Sequence, residues 1–329
     1  MTQTVQSFSR RAVLKGAAAA ATASFTGLTF GQVFPSKPIT IVVGYAPGGS
    51  NDVIARMVGQ KLGEALGKPV LVDNKPGAGT ALAAQLVARS PADGHTLLLA
   101  DNPFAILSSV MAKPLFRPLE EFQPITLLGT APQFMFAPAM SKVTAEGLIS
   151  AAKASPGAVF VANPGAGSLA HLVAEMLQRR AGVTFNHVAY KGSAPALQDT
   201  AAGHVQAAFS SFASGKALVE AGKLRLIGVT GEQRLRDFPA VPTFKEMGYA
   251  DMSVATWWGL VGPAGLPPGV VARLTAELSK IQGMPDIRER YAGLNIDPVI
   301  GTAAQYRMML ERDVLNWSRV AKEANIRIE

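Results

Sequence analysis

Ser168 and His171 stand one helical turn apart, just after the glycine-rich run 163–167. That spacing raises the possibility of a hydrolase with Ser168 as nucleophile and His171 as base. The run is not the Gly-x-Ser-x-Gly elbow that exposes a serine at a strand-to-helix turn, and no oxyanion loop of the usual type accompanies it. A serine at a helix start ordinarily caps the helix. The four histidines, 95, 171, 187 and 204, lack a His-Glu-x-x-His spacing. Cysteine is absent, which excludes a disulfide, a thiol nucleophile, a cysteine-built zinc site and a lipid-modified N-terminal cysteine. No glycine run ends in Gly-Lys-Ser/Thr, and Gly165-Ala166-Gly167 lacks the third glycine of a dinucleotide loop. The expectation is a protein that is not an enzyme and carries no metal or cofactor.

Anion capture by the backbone is the chemistry these residues do favour. Three runs sit between an apolar strand pattern and a helical one: 45–52 (Tyr45, Pro47, Gly48, Gly49, Ser50, Asp52), 75–80, and 163–168 (Asn163, Gly165, Gly167, Ser168). A shorter one is Tyr190-Lys191-Gly192-Ser193. A helix start carries unpaired amides and about half a positive charge, and glycine lets a bound group approach the backbone. A carboxylate can be held there without arginine. Each charge-assisted bond contributes roughly 1.5–3 kcal/mol, so a few of them with lobe closure reach the roughly 8 kcal/mol of a micromolar complex. Side chains add to this with two readings each. Asp52 either reaches into the cleft or caps its helix, Ser168 serves as N-cap and ligand donor, and His171 faces the ligand or is structural. Lys191 is the cation expected to face the cleft from the second lobe, with Lys75 available from the first. Trp257 and Trp258 read as packing residues near a lobe crossing.

The elements that position these loops alternate in type, the signature of βαβ units around a largely parallel sheet. Strands are expected over 39–45, 70–72, 96–100, 159–162, 186–190 and 205–209. Helices are expected over 50–66, where Ile54, Val58, Leu62 and Ala65 form one stripe, and over 80–89, 144–153, 168–181 and 195–202. Two such blocks imply two lobes, residues 35–130 with 251–329 and residues 131–250. Paired crossings near Gly129 and Ser253 make a hinge natural.

Residues 1–31 read as an address. Ser9-Arg10-Arg11-Ala12-Val13-Leu14-Lys15 resembles a twin-arginine export signal, and an apolar stretch with a small-residue exit follows. The expected destination is the periplasm, without a lipid anchor. The net charge of +8 falls to +5 once the three basic residues of that segment are removed. The excess concentrates anions near the surface. No basic stripe interleaved with aromatics points to nucleic acid.

At this level the chain resembles the substrate-binding components of tripartite tricarboxylate transporters, the Bug receptors. The matching stretches include residues 47–52 (Pro-Gly-Gly-Ser-Asn-Asp), 73–79 (Asp-Asn-Lys-Pro-Gly-Ala-Gly) and 91–98 (Pro-Ala-Asp-Gly-His-Thr-Leu-Leu). Gly165-Ala166-Gly167-Ser168 with His171, residues 187–192 (His-Val-Ala-Tyr-Lys-Gly) and Trp258-Gly259 continue the series, from about residue 35 to the end. The resemblance implies an α/β, two-lobed type II periplasmic binding protein fold (a Venus flytrap), each lobe a mainly parallel sheet flanked by helices. It implies a monomer that delivers a small carboxylate to integral membrane permease subunits. Carried over by position, ligand contacts come from residues 45–52, from Gly79, Thr80 and Ala81, from Asp101 and Asn102, and from 163–168 with Lys191. Thr80, Asp101, Gln206 and Ser210 depart from the family pattern, and Asp101 and Ser210 bear on the cleft. An inward Asp101 would disfavour a nearby ligand carboxylate or pair with a ligand amine. A ligand sensor docking on a signalling partner fits the same residues.

Overall fold

Ile39, Ile41 and Val43 are wholly buried, and their run forms the internal strand β1 (Ile39–Val43). The computed structural model describes residues 34–111 and 113–323, with side chains through 319. The export-signal assignment lies outside these residues. After β1, the loop 44–49 leads into α1 (Ser50–Leu66), which buries Ile54, Val58 and Leu62 as one stripe. Gly67 ends it at φ 67°, its amide donating to the Gly63 carbonyl at 3.0 Å. β2 (Val70–Asn74) returns parallel to β1. A tight turn (Ala78–Thr80), α2 (Ala81–Ala88), β3 (Thr96–Asp101) and α3 (Asn102–Val110) follow.

With β4 (Phe122–Pro132), β10 (Ala255–Pro263) and β11 (Asp297–Pro298), these strands form a six-stranded sheet in the order β11-β4-β10-β3-β1-β2. A second sheet has the order β7-β6-β8-β5-β9. It is built from β5 (Phe134–Pro138), β6 (Phe160–Asn163), β7 (Asn186–Ala189), β8 (Ala207–Ser210) and β9 (Leu224–Val229). Helices α4 (Ala145–Ala154), α5 (Leu169–Ala181), α6 (Ser193–Ala202) and α7 (Phe212–Glu220) accompany it. The fold is α/β and two-lobed, as expected. The sheets, however, are mixed rather than mainly parallel. β1, β2 and β3 pair in parallel, as do β6 with β7 and β8, whereas β4, β10 and β5 pair antiparallel with all their neighbours. The reason is connectivity. β4 runs out of the first sheet and β10 runs back into it, so two adjacent strands carrying the chain in opposite senses must be antiparallel.

The two crossings meet at one place. Gln133, between β4 and β5, accepts from the Thr230 amide at 2.8 Å and donates its own amide to Thr230 Oγ1 at 2.8 Å. That hydroxyl donates in turn to the Val254 carbonyl at 2.6 Å, and Gln133 Nε2 donates to Thr256 Oγ1. The chain ends in α8 (Pro268–Gly283), α9 (Pro285–Ala292) and α10 (Ala303–Glu323). Thr275 and Gln282 of α8 donate to β4 carbonyls. Tyr306 of α10 fills the space above Gly259, where an added Cβ would lie 2.4 Å from the ring. Among the described residues no helix is long and apolar enough to cross a membrane.

Candidate ligand-binding site

Five helices begin around one small cavity between the two sheets. From the first sheet come Ser50 and Asn51 of α1, and Asp101 and Asn102 at the start of α3. From the second come Ser168, Leu169 and Ala170 at the start of α5, Ser193 of α6, and Ser210 and Ser211 ahead of α7. Tyr45, Pro164 and the crossing residues Gln133 and Thr256 complete the wall. Every helix presents its electropositive end, where anions are stabilised. None of the described lining residues is Lys, Arg or His, and Asp101 is the one charged type among them. The cavity has a volume of about 30 Å³, room for a very few waters.

Hydroxyls and amides dominate the wall, and three of its buried atoms, Asn51 Nδ2, Ser210 Oγ and Gln133 Oε1, have no hydrogen-bond partner among the described residues. A buried polar atom left unpaired costs roughly 1–3 kcal/mol, which a polar guest would recover. Asp101 is 8% exposed and accepts from the Tyr45 hydroxyl at 2.9 Å. Burial drives its carboxyl up to about 7, against the lowering effect of the hydrogen bond from Tyr45. Burial, reinforced by Asp101, pushes the Tyr45 hydroxyl well above its usual range.

The sheets already touch through these loops. The Ala46 amide donates to the Lys191 carbonyl at 2.9 Å, and the Ser50 amide donates to Ser214 Oγ at 2.9 Å. A Cβ on Gly49 would lie 3.6 Å from Ser193, one on Gly48 3.4 Å from Ala194, and one on Gly79 2.5 Å from the Ala166 carbonyl.

Of the residues singled out in the sequence, Tyr45, Ser50, Asp101, Asn102, Ser168 and Ser210 line the cavity. Pro47 and Gly48 are exposed at the loop tip. Asp52 does not line the cavity but accepts from the Gly48 amide at 3.1 Å and pairs with Arg56 at 2.9 Å. Burial raises its carboxyl, but Arg56 and Gly48 outweigh that and hold it below the usual range. Gly79, Thr80 and Ala81 do not line the cavity; Gly79 at φ 62° and Thr80 at φ 91° make a tight turn. Asn163 Oδ1 braces its own loop through the Gly165 amide at 3.0 Å. Lys191 contributes its carbonyl, while its side chain is exposed.

Ser168 is the N-cap of α5, its Oγ accepting from the His171 amide at 3.2 Å. The His171 ring turns elsewhere, with Nδ1 accepting from the Gly167 amide at 3.3 Å. Neither bond joins hydroxyl to imidazole, so no nucleophile–base pair exists here. Ser168→Ala is expected to cost about 1 kcal/mol of stability, measurable by urea unfolding, and to change no ester hydrolysis. His171, Glu175 and His187 bring their ligand atoms within 4.8 Å of one another. With Gly167 donating to Nδ1, the ring hydrogen sits on Nε2, which rests 3.9 Å from Glu175 Oε1. That tautomer offers Glu175 a hydrogen rather than offering a metal a lone pair. Burial lowers the pKa of both rings. The cluster braces the 163–168 loop.

Sequence reasoning missed Gln133, between β4 and β5, and Thr256, on β10, because they lie at the crossings, far from any glycine run. Ser193 and Ser211 gave a weaker signal, each standing just before a helical pattern.

The description "Tripartite tricarboxylate transporter family receptor" matches residues 54–326. Protein BugT of Bordetella pertussis is 32% identical over 312 residues, covering 94% of this chain and 96% of BugT. The solved structure of the periplasmic binding protein BugD superposes with a TM-score of 0.86 at 29% identity, over 90% of this chain and all of that one. R. palustris Rpa4515, solved with adipate, gives 0.85 at 28% identity, over 89% and 99% of the two chains. A profile match over most of the sequence, BugT's similarity from end to end, and the shared two-lobed fold lead to one conclusion: this chain belongs to the tripartite tricarboxylate transporter receptor family, a family of solute-binding proteins rather than enzymes.

Proposed function

We propose that this chain is a periplasmic receptor that takes a small dicarboxylate between its two α/β lobes, residues 35–130 with 251–329 and residues 131–250. It closes on the ligand and delivers it to integral membrane subunits of a tripartite tricarboxylate-type transporter. Residues 1–31 serve as its twin-arginine export signal. The observation that carries this reading is the convergence of five helix starts on a cavity whose wall holds unpaired buried polar atoms and no cation. Such a wall suits carboxylates held by amides and hydroxyls. Rpa4515, a relative of the same fold, was solved with adipate, a dicarboxylate. The contacts are assigned to Tyr45, Ser50, Asp101, Asn102, Ser168 and Ser210, joined by Gln133, Ser193 and Thr256. Since about 30 Å³ is far too little for such a guest, entry requires the loops of the two sheets to part.

A thermal-shift series over small mono-, di- and tricarboxylates tests this. A true ligand at a hundred times its dissociation constant adds about 2.7 kcal/mol of stability, and neutral diamide analogues add none. A series in which no acid raises the melting temperature would sink the assignment.

A further inference from the structure

Asp101 is out of place in a cavity built to receive negative charge. It ends β3 and starts α3, is 8% exposed, and lines the same wall as the five helix starts. Its carboxyl makes no capping bond to the first turn of α3. The groups that face it are neutral from every side. The loop after β1 supplies the Tyr45 hydroxyl at 2.9 Å, and α10 supplies Tyr306, whose hydroxyl burial and the Asp101 charge push well above its usual range. β10 supplies Trp258, directly opposite Asp101 in the sheet register, and the second sheet supplies serines. Among the described lining residues there is no Lys, Arg or His to balance a second negative charge.

Two carboxylates sharing one desolvated cavity without a cation do not both stay ionised, because the like charge raises the proton affinity of the pair. Resting on the receptor reading above, we propose that Asp101 enters the complex protonated, so that capture of a dicarboxylate takes up one proton from solution. The proton passes from water to the Asp101 carboxylate, and the resulting O–H donates to the incoming ligand carboxylate. Burial already holds the Asp101 carboxyl at about 7 before any ligand arrives, so the proton-loaded form is well populated at neutral pH. The raised value means binding competence is full below that pH and is lost as pH climbs through it.

The test is isothermal calorimetry with adipate as probe at pH 6.5 and 8.5, a window in which both adipate carboxylates stay ionised. Each titration is repeated in two buffers of different ionisation enthalpy. If only the protonated form binds, affinity is about twentyfold weaker at pH 8.5, following the carboxyl value of about 7. The buffer comparison then shows uptake approaching one proton per adipate at the higher pH. Asp101→Asn, which carries a permanent donor amide, loses the pH dependence. Equal affinity at both pH values in the unaltered chain overturns the inference, as does net proton release on adipate binding. The buffer comparison uses the unaltered chain, so it decides the matter even if Asp101→Asn does not fold. Adipate binding that is insensitive to pH leaves the receptor reading standing, whereas no binding by any dicarboxylate removes both.

Discussion

On the receptor reading proposed above, Gly79→Val is expected to weaken adipate binding at least a hundredfold, equivalent to about 2.7 kcal/mol, while the unliganded chain stays folded. Gly79 sits at φ 62°, ψ 28°, where a β-branched residue is a genuine outlier. The second obstacle is steric. A Cβ there would lie 2.5 Å from the Ala166 carbonyl oxygen and 3.5 Å from Leu107. Ala166 O is a backbone atom of the facing 163–168 loop and cannot rotate aside, so the two loops must stay apart. Under the proposed mechanism the variant keeps each half of the site but cannot bring the halves together. Calorimetry reads the affinity, and small-angle scattering with adipate reads whether the radius of gyration still shrinks. Affinity within threefold of the unaltered chain would rule this account out.

Phe134→Ala is expected to destabilise the second sheet and its helices by roughly 3–5 kcal/mol, the usual cost of emptying a large buried aromatic site. Phe134 is fully buried, with ring centroids of Phe136, Phe212 and Phe238 at 6.3, 5.9 and 5.6 Å. It pairs in register with Ser210, a cavity residue, and with Val229 at the end of β9. The hole therefore opens directly behind the wall of the site. Urea unfolding followed by far-ultraviolet circular dichroism measures the loss. A midpoint change corresponding to less than 1 kcal/mol would show that the aromatic cluster relaxes to fill the space.

Helices with a strong stripe and a glycine stop were plain in the sequence. The pattern over 50–66 ends at Gly67, and Ser168 caps the helix that follows it. Elements without such contrast were not. α3 is apolar on nearly every face, burying Phe104, Ala105, Ile106 and Leu107 together, so it has no period to read. Gln133 breaks an apolar run and looks like a loop, yet it is 4% exposed, held between the two crossings. α6 starts at Ser193 rather than Pro195, because proline fits anywhere in a first turn. The glycine loops pointed to the right junctions, since backbone amides at helix starts are local properties. Which side chains turn inward is not local. Lys191 and Asp52 have the chemistry for a ligand, but the first offers its carbonyl to Ala46 and the second is held by Arg56.

The bonds among Gln133, Thr230 and Val254 tie the outgoing and returning strands at a single level. Two connections fastened side by side leave the halves essentially one degree of freedom, a swing about the line through both, and resist sliding or twisting. Under the proposed closure every opening would retrace the same arc, and the Ser214 hydroxyl would meet the Ser50 amide each time. Under the proposed closure, alignment of the binding surfaces is thus stored in the joint, and the ligand would have only to supply the torque that shuts it.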